Sequence, residues 1–163
     1  MSKSGPPFLG KFRGTVSDNR DPLMKGRVRV RAVDVYGEEE SGWALPALPY
    51  TGNGVGLFLI PPTGASVWVE FEHGDPDYPI WAGGFWSETE VPATPGVAEM
   101  KVLKTDKATI TLDDLIGSIT IETSAGMKIK IDPTGIEINN GLNGKVTLQG
   151  PKVAINGNAF EVT

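Results

Sequence analysis

The sequence predicts an almost all-β protein, a small barrel followed by a tail of very short strands, and three observations carry that expectation. Glycine and proline supply 21 and 13 of 163 residues, set among segments rich in Val, Ile and Thr; this mixture suits short strands and turns better than long helices. The first half alternates with period two around aromatic anchors: Val67, Val69 and Phe71 fall on one side of a strand, Trp68, Glu70 and Glu72 on the other. In the second half aromatic residues almost vanish, and pairs of apolar residues with one residue between them follow one another under regular glycine punctuation.

A chain of this length holds one good core, or one small domain and an appendage. After a flexible segment at 1–7, strands are predicted at 9–16, 26–35, 41–46, 56–60, 65–73 and 80–87, giving a barrel domain over 8–87. Turn chemistry separates them at Asp18-Asn19, Asp21-Pro22, Tyr36-Gly37, Pro61-Pro62 with Gly64, and Gly74-Asp75-Pro76. Residues 88–96 lack periodicity and carry two prolines, which favours an extended linker and a domain boundary.

From 97 to 163 the apolar pairs are Ile110 and Leu112, Ile119 and Ile121, Ile129 and Ile131, Ile136 and Ile138, Val146 and Leu148, Val153 and Ile155, and Phe160 and Val162. Each pair is a minimal strand with one apolar face. Gly117, Gly126, Gly135 and Gly144 recur at a spacing of nine, Gly150 and Gly157 at seven, so each unit is one strand and one turn, as in a β-solenoid or an extended meander. A ribbon apolar on one side exposes that face, and its short strands are marginal alone in water. Burying one Val or Ile is worth about 1.5–3 kcal/mol, so the ribbon gains by closing against copies of itself. Cyclic symmetry does this most simply, with three ribbons forming a prism; a single-chain solenoid is the alternative. The predicted trimer core is Ile110, Leu112, Ile119, Ile121, Ile129, Ile131, Ile136, Ile138, Val146, Leu148, Val153 and Ile155.

Composition excludes several function classes. With no cysteine there is neither a disulfide framework nor a thiolate metal site. No secretory signal core or bilayer-spanning apolar run is present, so the chain is expected to be made in the cytoplasm without a signal peptide. A net charge of −5 disfavours nucleic acid as a partner. The one basic cluster, Lys25, Arg27, Arg29 and Arg31, lies at strand spacing opposite Val28, Val30 and Ala32 and reads as a solvated outer strand face.

Catalytic constellations are equally thin. Glycoside hydrolysis needs two carboxyls about 5–9.5 Å apart across a cleft; Asp75 with Asp77 reads as a turn, and Glu70 with Glu72 as an outer strand face. His73, the single histidine, has no nucleophile paired with it in the pattern. Gly52-Asn53-Gly54-Val55-Gly56 lacks the Lys-Ser/Thr ending of a phosphate loop and reads as a turn. The four tryptophans, Trp43, Trp68, Trp81 and Trp86, could stack on bases or sugars, but three sit beside prolines and glycines, as core or contact anchors do. No enzyme activity, cofactor or metal is expected. The alternative reading is a stand-alone module binding an oligosaccharide or oligonucleotide, oligomerised by its repeat tail.

Over residues 10 to 86 the chain resembles the OB domain shared by phage baseplate spike proteins and type VI secretion spikes. The resemblance rests on Gly10-Lys11-Phe12-Arg13-Gly14-Thr15-Val16, Asp18-Asn19-Arg20-Asp21-Pro22 with Gly26-Arg27-Val28-Arg29-Val30-Arg31, and Trp43-Ala44-Leu45-Pro46. It continues through Gly52-Asn53-Gly54-Val55-Gly56, Ile60-Pro61-Pro62-Thr63-Gly64-Ala65, Val67-Trp68-Val69-Glu70-Phe71, and Gly74-Asp75-Pro76-Asp77-Tyr78-Pro79-Ile80-Trp81, in that order. The tail is similar to the family's triple-stranded β-helix, with less regular spacing. The resemblance implies an OB-type barrel followed by an intertwined trimeric β-helix, or β-prism. It implies a homotrimer docked on a ring-shaped hub, a needle that touches the target membrane mechanically, and assembly into a tail or injection particle. Trp43, Trp81, Phe85 and Trp86 become candidate hub or subunit contacts. Some relatives insert a lysozyme domain where only 88–96 stand here, and others carry a His-x-His iron tip that a lone His73 cannot form. Either Phe160 and Val162 close the tip or a separate tip protein covers it.

Overall fold

The computed structural model describes residues 6–157 and 159–162. It divides into two compact units, Met1–Thr89 and Glu90–Thr163. The segment expected to be flexible, 1–7, lies outside the described residues over 1–5, as do Asn158 and Thr163 at the expected tip.

The first unit contains β1 (Phe12–Asp18), β2 (Arg29–Arg31), a single helical turn α1 (Val33–Tyr36), β3 (Leu45–Pro46), β4 (Thr51–Gly52), β5 (Val55–Gly56), β6 (Ser66–Phe71), a 3₁₀ turn at Glu72–Gly74, and β7 (Pro79–Gly84). Five strands form a sheet in the order β2-β1-β6-β7-β3, antiparallel except for the parallel β3–β7 pair. Val28, just before β2, bridges Ala44, just before β3, through two backbone hydrogen bonds of 3.2 and 2.8 Å. This bridge links the ends of the sheet and closes it in the Greek-key order of an OB barrel.

Alternation decides what fills it. Gly14 and Val16 on β1, Val28 and Val30 around β2, and Val67, Val69 and Phe71 on β6 all point inward, joined by Ala32, Ala44 and Trp81. Gly14 is needed where β1 passes close to Val69 of β6, since a Cβ there would lie 2.7 Å from Val69 Cγ2. One end of the barrel is plugged by Phe8, Phe12, Tyr36 and Phe71, whose ring centroids lie 5.5–6.0 Å apart in tilted and edge-on pairs.

Three predicted strands differ, the one expected at 41–46 shrinking to the Ala44 bridge and Leu45–Pro46. The expected strand at 26–35 stops at Arg31, because α1 turns Val35 and Tyr36 onto the core; Ala32 O accepts from both their N–H groups and Gly37, at φ 62°, ends the turn. The Val33/Val35 alternation had mimicked a continuing strand. The expected strand at 56–60 is replaced by the β4–β5 hairpin, which turns at Asn53-Gly54 with Gly54 at φ 73° and absorbs the strand's first residue.

The second unit is an eight-stranded antiparallel meander with every strand beside its sequence neighbour: β8 (Met100–Lys104), β9 (Ala108–Asp113), β10 (Ser118–Thr123), β11 (Lys128–Asp132), β12 (Gly135–Asn139), β13 (Lys145–Gln149), β14 (Lys152–Ile155) and β15 (Phe160–Val162). Seven interstrand spacings of about 4.8 Å make a ribbon about 34 Å long, with its strands across its length. The first of the eight, β8, has no counterpart among the predicted apolar pairs.

Candidate functional site

The ribbon's register builds its apolar surface. Leu103, Ile110, Ile121, Ile129, Ile138, Val146, Ile155 and Phe160 are successive cross-strand partners in one unbroken row. Leu112, Ile119, Ile131, Ile136, Leu148 and Val153 form a second row beside it, begun by Lys101. All twelve predicted trimer-core residues therefore share one face. Ten of them stand 37–46% exposed in the single chain, while Ile110 and Val146 are half-buried. Leu103 was missed because it lies in Val102-Leu103 between lysines, without the apolar-x-apolar spacing of the other pairs.

The opposite face is polar. Its central row runs Val102, Thr111, Thr120, Lys130, Glu137, Thr147 and Ala154. Lys130 pairs with Asp132 at 2.7 Å and Lys145 with Glu137 at 2.5 Å, along a groove of about 670 Å³. The Lys130 ammonium, followed by the Thr134 hydroxyl and N–H, holds the Asp132 carboxyl well below the usual carboxylate range. The ribbon is thus amphipathic by face, with charge where water is and hydrocarbon where a partner is needed.

On the barrel, Asp21 is the organising residue that sequence reasoning placed only in a turn. Its buried carboxylate accepts from the N–H groups of Leu23, Lys25 and Arg27 at 2.9, 2.8 and 3.3 Å, and from the Arg27 guanidinium at 2.6 Å. Arg27 in turn lies over the Trp43 ring at 5.6 Å. The signal was present as Asp-Pro followed six residues later by Arg, but spacing alone does not distinguish a clamp from a turn. Arg29 and Arg31 both reach Glu40, so three of the four cluster cations are paired and the basic strand face is largely neutralised.

The four candidate contact residues fall in different environments. Trp81 is 4% exposed, and its indole N–H donates to Gly26 O at 3.1 Å, so its ring belongs to the core and has no surface to offer a partner. Trp43 and Phe85 are half-buried; Phe85 tilts against Trp68 at 4.7 Å, with the Arg13 guanidinium over both rings. Trp86 is 64% exposed. A larger apolar surface went unread in the sequence. Around the β4–β5 hairpin Tyr50, Val55, Leu57, Phe58 and Leu59 are exposed, Phe58 to 64%, beside a recess of about 420 Å³.

Residues 12–86 match the profile of the type VI secretion system/phage-baseplate injector OB domain, and residues 100–161 match the phage baseplate V C-terminal trimerisation domain. The chain belongs to the phage-baseplate spike family. No curated protein matches it. The two matched segments follow the order of the two structural units, and the spike family explains why the ribbon's apolar face is left uncovered within one chain: that half is a trimerisation domain.

In this baseplate spike several polar groups singled out in the sequence are held by ordinary structural contacts. Asp75 Oδ1 accepts the Asp77 N–H at 3.0 Å within the turn, and Glu70 is paired with Lys11. Tyr36 donates its hydroxyl proton to Pro76 O at 2.6 Å; burial, then the nearby Asp77 and Asp75, push its pKa up to about 12. Gly52-Asn53-Gly54-Val55-Gly56 forms the β4–β5 hairpin. Among the described residues no three or more His, Cys, Asp or Glu side chains converge as metal ligands, and no helix is long and apolar enough to cross a membrane.

Proposed function

We propose that this protein is the structural central spike of a contractile phage tail or phage-tail-like injection system and acts without catalysis. Three copies close their ribbons, apolar faces inward, into an intertwined β-prism over 97–163; the barrels, 8–87, seat on a ring-shaped hub, with 88–96 linking the two. Sheath contraction supplies the work and the dry, close-packed prism supplies stiffness, so the needle pierces the envelope mechanically. A separate tip protein is the further partner expected at the C-terminal end of the needle.

The observation that carries this reading is the pair of apolar rows running along the ribbon on one face and left exposed in the isolated chain. The exposed apolar arm around Phe58 supplies the hub contact better than the buried Trp81. The test is incorporation into particles. Deleting 97–163 should abolish trimers, whereas Phe58→Ser should leave the trimer intact and sharply reduce the amount of spike on assembled baseplates. A deletion that leaves the trimer intact would contradict the assignment of the needle.

A further inference from the structure

The meander has two lateral edges, where its turns lie. One edge carries the turns at 105–107, 124–127 and 140–144; the other carries those at 114–117, 133–134 and 150–151. Both present large apolar side chains from otherwise polar turns. Leu115 and Ile116 are 80% and 53% exposed on the second edge, and Leu142 and Met127 are 82% and 47% exposed on the first. The leucine turns share one construction. Asp113 Oδ1 accepts the N–H groups of Leu115 and Ile116 at 2.9 and 3.4 Å, and Asn140 Oδ1 accepts those of Leu142 and Gly144 at 2.8 and 2.9 Å. In each turn the leucine stands two residues beyond its capping side chain.

Leu115, Ile116 and Leu142 lie in turns beyond the two apolar rows, and Met127 borders them two residues before Ile129, beside Thr123, so closing the rows leaves the turn residues uncovered at the margin of the face. We propose that they form the seams of the trimer: the edge bearing Leu115 and Ile116 of one chain packs against the opposite edge, at Met127, of the next chain. This rests on the trimeric reading above. The partner is a second copy because the interface is continuous with a trimerisation domain, and because rotational closure brings unlike edges of neighbouring chains together. In a meander, turns on opposite edges alternate by one strand spacing, about 4.8 Å. With strands set across the axis, the 114–117 turn of one chain therefore faces the space between the 105–107 and 124–127 turns of its neighbour. By the same alternation Leu142 faces Pro133 and Pro151. The rows hold the inside of the needle, and the turn residues lock the chains laterally and fix their axial register.

The chain's lack of cysteine makes the test direct. Leu115→Cys and Met127→Cys are combined in the full chain and treated with a short bifunctional maleimide. Within one chain these positions lie on opposite edges, a strand length of about 17–20 Å apart, so a short reagent joins them only between chains. The expected result is a covalent trimer on denaturing gels from the double variant and none from either single variant. Mass photometry of the untreated double variant separates the two claims. A trimer that does not cross-link overturns the seam and leaves the spike reading standing; a monomer overturns both. Cross-linking by a single variant indicates like edges in contact and also overturns the proposal. As a second measurement, Leu115→Ser with Ile116→Ser should raise the concentration at which the trimer dissociates by at least tenfold; an unchanged value counts against the seam.

Discussion

Ile121 and Ile129 stand directly opposite each other on β10 and β11, and each continues the same line to the next strand, to Ile110 and to Ile138. A row of this kind has no partner inside its own chain, so substitution there reads out the assembly. Ile129→Ala is expected to cost about 2–5 kcal/mol per subunit, the range for large-to-small changes at buried aliphatic sites. Ile129→Asp should prevent trimers altogether by burying an unpaired charge. Glu122→Ala, on the polar face, should change neither; denaturant titration with light scattering reports all three.

Asp21 holds its loop through three backbone donors and Arg27. The Arg27 hydrogen bond, then those from Leu23, Lys25 and Arg27 N–H, depress its pKa in the folded state below the ordinary carboxylate value. The resulting stabilisation is fully present above the unfolded pKa of about 3.9. It is lost as pH falls from there through the lower folded value. Asp21→Asn should lower the barrel's thermal midpoint at neutral pH and flatten its dependence on acid below pH ~4. Calorimetry from pH 2 to 7 checks both the direction and the window.

Trp81→Phe keeps most of the ring's bulk and removes the indole donor to Gly26 O. Leaving that buried carbonyl unpaired should cost the barrel about 1–3 kcal/mol. The ribbon should be unaffected, so the barrel's unfolding transition shifts while the mass of the assembly does not.

Gly135 opens β12 at φ 145°, and a Cβ there would run into the Leu148 carbonyl on β13. Gly135→Ala should therefore disrupt the β12–β13 pairing, visible as faster amide exchange over 135–149 and weaker trimerisation. Gly150→Ala, whose Cβ would meet no neighbouring atom within 4 Å, is the steric control for crowding, although its φ of 55° still adds backbone strain.

The parts legible in the sequence were those set by period and turn chemistry. Inward alternation gave Val67, Val69 and Phe71, and glycine spacing gave the ribbon with all twelve face residues. Packing decided the rest. α1 arises because Val35 and Tyr36 can reach the core only if the chain turns, which a Val-Asp-Val alternation conceals. Trp81 and Trp86 look alike beside glycine and serine, yet one fills the barrel and the other faces solvent. The apolar arm around Phe58 reads in the sequence as one more strand at 56–60, because exposure is a property of neighbours that local sequence does not contain. β8 was hidden by Lys101, which takes the first place in the second row and pairs with Asp114.

On the reading proposed above, the exposed face of the ribbon is an interface among three copies. Mass photometry of the full chain at nanomolar to micromolar concentration tests it most directly. A single species at three times the mass of one chain is expected, reduced to one chain when residues 97–163 are removed. A compact monomer of the full chain at micromolar concentration would contradict it.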